Sequence, residues 1–143
     1  MGAGDGSLVA TQMNTGSVLQ WFCVVCFLGA ALRHGLDLST GGWLPYRYVP
    51  IWTNLFWTAL TFLDPFTALA LWYRPRLGVV LALLVMLTEV SVNTFWTLRF
   101  GQAGVLSGPG VLTLVVQSIF LGMILREFPL LRSLSPSPAA RKP

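Results

Sequence analysis

The sequence predicts an all-α protein, an integral membrane bundle of four transmembrane helices joined by short loops. Three observations predict it. Hydrophobic residues make up 55% of the 143 and charged residues only 10%, where a soluble domain carries roughly 25% charged. The mean hydropathy is +0.70. Four apolar runs, each close to the roughly 20 residues that a bilayer-spanning helix needs, are separated by charged or turn-forming clusters. A chain this short, with so few charges, cannot cover itself with a water-facing surface.

Each element follows from local chemistry. Residues 1–16 are rich in Gly, Ser and Thr and read as a flexible N-terminal tail. The four-helix domain occupies 17–132. Its first helix, about 17–36, ends where Arg33, His34 and Asp37 interrupt the apolar run. The stretch Ser39 to Pro45 has turn chemistry, and Tyr46, Tyr48 and Trp52 follow it at a level suited to the headgroup region. The second helix, about 50–73, has Pro50 in its first turn, where the missing N–H is harmless. Arg74-Pro75-Arg76 reads as a tight hairpin. The third helix, about 77–98, ends at Arg99. The fourth, about 108–125, starts beside Pro109 and stops at Arg126-Glu127. Residues 133–143, rich in Ser, Pro, Ala and basic side chains, are expected to be disordered.

Basic residues set the expected orientation. The N-terminal tail, second loop and C-terminal segment hold six: Arg74, Arg76, Arg126, Arg132, Arg141 and Lys142. The other side holds three, Arg33, Arg47 and Arg99. Both termini are therefore expected in the cytoplasm, with the chain in a plasma or inner membrane. A cleavable leader is not expected, because residues 1–16 contain no Lys or Arg. Nucleic-acid binding is not expected either, since the positive charges are scattered beside apolar runs and do not cluster on a face.

Several motifs have plainer readings than chemistry. Cys23-Val24-Val25-Cys26 has redox spacing, but it lies inside an apolar helix, where cysteine behaves as a small hydrophobe. His34 and Asp37 share a helix face, yet one histidine supplies too few ligands for a metal. No metal and no cofactor are expected. Trp21, Trp72, Tyr73 and Phe128 at one level, and Trp43, Tyr46, Tyr48, Trp52 and Phe100 at the other, read as aromatic belts.

Asp64 and Glu89 stand apart. Each sits within an apolar run that contains no Lys or Arg, and an ionised carboxylate at mid-membrane costs at least about 2.5–3.5 kcal/mol. In an antiparallel hairpin, residues at equal depth have numbers with a constant sum. Asp64 with Glu89 and Trp57 with Trp96 both sum to 153, which places the two acids at one level. Helical rotation puts Trp57 and Thr61 near Asp64, and Asn93 and Trp96 near Glu89. Gln117, on the fourth helix, is positioned to join them, as is Gln20 on the first.

Two close carboxyls hold one proton between them more readily than two negative charges. The expected role is therefore binding or transport of a proton, a cation or an amphipathic small molecule at Asp64, Glu89, Asn93, Trp57, Trp96, Thr61 and Gln117. In broad architecture, four helices with acids in a membrane pocket, the chain resembles the sterol-isomerase and sigma-2-receptor-like membrane proteins. That resemblance implies an alternative in which one acid donates a proton and the other accepts it. No catalytic residue is assigned on sequence, and an enzyme is not the favoured reading. The further alternative is a non-catalytic subunit or assembly factor whose polar face docks on a membrane protein partner. A polar face closed between the helices favours a pocket, and one turned to lipid favours a partner.

Overall fold

A computed structural model describes residues 4–100 and 108–133, which fold into four helices: α1 (Gly4–Gly41), α2 (Ile51–Tyr73), α3 (Pro75–Phe100) and α4 (Gly108–Ser133). Successive helices pack as neighbours, and a smaller contact between α1 and α4 closes the bundle. Phe120 of α4 meets Phe22 and Phe27 of α1 there, with ring centroids 6.1 and 5.8 Å apart.

Helix α1 is longer than the sequence predicts at both ends. It begins at Gly4 where a tail to residue 16 was expected. Residues 7–15 contain no proline and include Leu8, Ala10, Gln12 and Met13, which are good helix formers. Extending an existing helix through them adds one hydrogen bond per residue fixed, with no new nucleation. At the other end, Ser39 and Thr40 remain helical because their hydroxyls donate back to the Leu36 carbonyl at 2.8 and 2.9 Å. Gly42 then stops the helix in the left-handed region, at φ 73°. Helix α4 likewise runs past its expected end at 125 to Ser133, with Pro129 inside it. The expected disordered tail lies, beyond Ser133, outside the described residues.

The sharpest difference is the connection between α2 and α3. A three-residue turn was expected, yet Arg74 alone joins the two helices. Its N–H donates to the Ala70 carbonyl at 2.8 Å, and its own carbonyl accepts the Gly78 N–H at 2.9 Å. Pro75 is thus the first residue of α3, where its fixed φ suits a helix start. Pro50, by contrast, stands just outside α2 as its N-cap, its carbonyl accepting the Thr53 and Asn54 N–H groups.

Shortening the turn shifts the register. Gly78 lies directly against the backbone of Leu71, Trp96 bonds Thr53, and Trp57 bonds Asn93. Their numbers sum to 149, 149 and 150, not 153. Helix α3 is therefore displaced by about one turn from the counted register, and the residue level with Asp64 is Val85. Asp64 lies nine residues, about 14 Å, from the last residue of α2, while Glu89 lies fourteen residues, about 21 Å, from the start of α3. The two acids therefore do not share one level along the hairpin.

The bundle has an apolar cluster toward the hairpin end. Cys23, Val24, Phe27, Leu71, Val79 and Ile124 belong to one buried cluster there. Both cysteines are free thiols, and Cys23 is part of that packing. The outer surface is as apolar as the core: Phe22, Leu32, Phe66, Leu84, Val116 and Ile119 are all exposed. Water does not tolerate so continuous an apolar surface. Val18–Gly41, Ile51–Tyr73 and Pro75–Arg99 are long and apolar enough to cross a membrane, and α4 carries a shorter apolar stretch, Val111–Arg126.

Candidate functional site

Away from the tip of the hairpin, polar side chains enter the interior of the bundle. Helix α2 is responsible: Thr53, Asn54, Thr58, Asp64 and Thr67 all fall on its buried side. Together they occupy roughly half of the helix circumference, the half turned to the other helices. Helix α3 answers with Glu89 and Trp96, both buried.

Glu89, 7% exposed, is the end of a hydrogen-bond chain across three helices. The indole Nε1–H of Trp57 donates to Asn93 Oδ1 at 3.2 Å. Asn93 Nδ2 donates to Gln117 Oε1 at 2.8 Å. Gln117 Nε2 donates to Glu89 Oε1 at 2.7 Å. Asp64 is the opposite case. It is 1% exposed, and neither carboxyl oxygen has a hydrogen-bond partner. The Thr61 hydroxyl, one turn earlier, is also buried and unpartnered. Thr67, Thr88 and Thr97 each donate to the carbonyl four residues back, so Thr61 departs from the local habit. Pro65 has no N–H to give the Thr61 carbonyl. One turn of α2 therefore presents three side-chain oxygens, two of Asp64 and one of Thr61, that no described donor satisfies.

Not every residue marked in the sequence joins this site. Trp57, Asn93, Gln117 and Glu89 are joined by hydrogen bonds across α2, α3 and α4, while Thr61 and Asp64 are on α2 with no bond to that chain. Trp96 bonds outside that chain: its indole N–H donates to Thr53 at 3.0 Å, two turns further along α3 than Glu89. The one-turn register shift moves it further from Asp64. Gln20 is at the far end of the bundle, where its Nε2 donates to the Leu71 carbonyl at 2.6 Å.

The loop between α1 and α2 closes over the polar interior, a role not read from the sequence. Asn54 holds it by donating to the Leu44 carbonyl at 3.0 Å and accepting the Tyr46 N–H at 3.2 Å. Leu44 takes a left-handed conformation, φ 56°, to make this turn. The Tyr46 hydroxyl donates to Asp37 at 2.9 Å, and its one proton being so used, His34 Nδ1 at 2.9 Å is a donor to it. Arg33 pairs with Asp37 at 2.7 Å. Burial, then the bond to Asp37, holds the Tyr46 phenol above its ordinary value. The Tyr46 ring lies edge-on to Trp57, centroids 5.1 Å apart. The available signal was Asn54, a polar residue in the first turn of an apolar helix, in line with Thr58 and Thr61.

Comparison with family models, curated proteins and solved structures finds no match for this chain. Among the described residues no group of three or more His, Cys, Asp or Glu could hold a metal.

Proposed function

We propose that this is a small multi-pass membrane protein that binds, and exchanges, a proton for a cation or an amphipathic amine at Asp64 and Glu89. The observation that carries the reading is Asp64: a carboxyl 1% exposed, with no donor on either oxygen, in a bundle that buries a second acid, Glu89. A carboxylate so placed lacks everything that stabilises an anion in a medium of low dielectric. A bound proton or an entering cation removes the charge. The polar face is turned inward and bonded within the bundle, which supports a pocket over docking on a partner helix.

All four helices cross the membrane in this reading. Helix α4 has 26 residues, about 39 Å, a length sufficient to cross the hydrocarbon core, with a shorter apolar stretch over Val111–Arg126. The excess of basic residues on one side supports an orientation with both termini in the cytoplasm, and the reading takes the membrane as a plasma or inner membrane. Reporter fusions at Gly2 and Lys142 are expected to read cytoplasmic, and one at Gly41 external. A terminus that reads external reverses the orientation.

The test of function is proton release. Purified protein in weakly buffered detergent is given NaCl, KCl or a hydrophobic tertiary amine, and a pH dye follows the solution. At least one of the three should release about one proton per chain, and Asp64→Asn and Glu89→Gln should release none while inserting normally. The amides keep the shape and remove the titration. No release with all three probes, with a second protein retained in native mass spectrometry, would instead establish a subunit of a membrane complex.

A further inference from the structure

The two acids are not equivalent, and the group that distinguishes them is an indole. The nitrogen of Trp57 carries a hydrogen and has no lone pair available, so it can only donate. Asn93 must therefore turn its oxygen to Trp57, which leaves its NH2 facing Gln117. Gln117 must in turn present its oxygen to Asn93 and its NH2 to Glu89. Each amide, taken alone, fits its density of neighbours in either of two orientations. With a donor-only group at one end, a single orientation of each satisfies every bond: 3.2 Å to Asn93, 2.8 Å to Gln117, 2.7 Å to Glu89.

The chain therefore arrives at Glu89 as a donor. A carboxylate oxygen accepts that bond strongly, because hydrogen bonds to an ionised acceptor are about twice as strong as neutral ones. Asp64 receives no such bond. Side-chain amides do not themselves relay a proton, so the chain sets charge and does not conduct it. Tyr46 and Tyr48 hold the Trp57 ring from the loop side, with centroids at 5.1 and 6.4 Å.

We propose that Trp57 fixes the division of labour in the acidic pair, with Glu89 as the resident anion and Asp64 as the carrier of the exchangeable proton. This rests on the reading that the pair holds one proton. Trp57 is a positioning residue, acting through Asn93 and Gln117. It also narrows the ligand: a cation that enters is attracted by Glu89 and displaces the proton of Asp64, so the site prefers species that carry a full positive charge over neutral amphiphiles.

Infrared difference spectroscopy in lipid at pH 7 tests the assignment. Wild-type protein should show one protonated-carboxyl band, absent from Asp64→Asn and retained in Glu89→Gln. A band lost in Glu89→Gln and retained in Asp64→Asn would overturn the assignment and leave the shared proton standing. No protonated-carboxyl band in the wild type would overturn the shared proton itself. Trp57→Phe keeps the ring and deletes the donor, freeing both amides to rotate, and should about double the band intensity as Glu89 takes up a proton. Asn93→Leu, which cuts the chain one bond later, should do the same. An unchanged spectrum in both variants would overturn the role of Trp57.

Discussion

Replacing Asp64 with leucine is expected to stabilise the protein by about 1–3 kcal/mol, the usual penalty of a buried polar group without a partner, while abolishing proton release. Leucine shares the branching of aspartate but its two methyl groups are larger than the carboxyl oxygens, so accommodating them offsets part of that gain. The wild-type residue is 1% exposed and bonds nothing, so the substitution removes a desolvated polar group and breaks no contact that the structure shows. Glu89→Leu should go the other way, because it leaves the Gln117 NH2 donor, now bonded at 2.7 Å, without an acceptor. Unfolding of both variants in lipid nanodiscs, followed by tryptophan fluorescence, reads the two signs. A loss of stability in Asp64→Leu would mean that the carboxyl supports the fold, and would remove the main reason for assigning it a function. Stability given up at a working site is a common trade.

The second large effect is expected at Gly78. A Cβ built there runs into the backbone of Leu71 and Ala70, and no flexible side chain is available to move aside. Gly78→Val must force α2 and α3 apart at the point where the chain joins them through one residue. Overpacking of a closed interface costs about 1–3 kcal/mol and sometimes more, and a clash with backbone belongs at the upper end. The separation should also lengthen the bonds from Trp57 to Asn93 and from Trp96 to Thr53, so proton release should fall along with stability. Gly122 is a control on α4, since a Cβ there meets nothing within 4 Å. Gly122→Val should leave both readouts unchanged. Equal effects at the two positions would mean that Gly78 matters through helix propensity, not close approach.

The number of helices, their approximate places and the two buried acids were legible because each rests on a strong, local quantity. An apolar run of twenty residues has few alternatives, and a carboxylate inside one is conspicuous. What was not legible rests on differences of one or two residues. Arg74-Pro75-Arg76 offers the same charges to a three-residue turn and to a one-residue turn with Pro75 at the helix start. Only the meeting of Gly78 with Leu71 decides between them, and that contact is between residues seven apart on different helices. The consequences multiply along the hairpin: the acids separate by about one turn, and Trp96 bonds Thr53, further from Asp64. The loop closure was hidden for another reason. Asn54 holds Leu44 and Tyr46 through bonds to main-chain groups, and a polar residue's choice of backbone partner leaves no periodic trace. The chain from Trp57 to Glu89 was half visible: its members were singled out, but its direction depends on which atom of each faces which.

The single-residue join between α2 and α3 also bears on how the protein is made. Each of these helices, alone in lipid, would expose a carboxyl group near the middle of the bilayer, a penalty of at least about 2.5–3.5 kcal/mol on the mildest scale. With only Arg74 between Tyr73 and Pro75, there is no slack for one helix to settle in the membrane while the other waits in water. Entry as a hairpin is the expected route: Asp64 would meet the face of α3 in the same insertion event, with Gly78 seated against Leu71. The acidic pair would then be assembled with the hairpin, and α4 would bring Gln117 afterwards to complete the chain to Glu89.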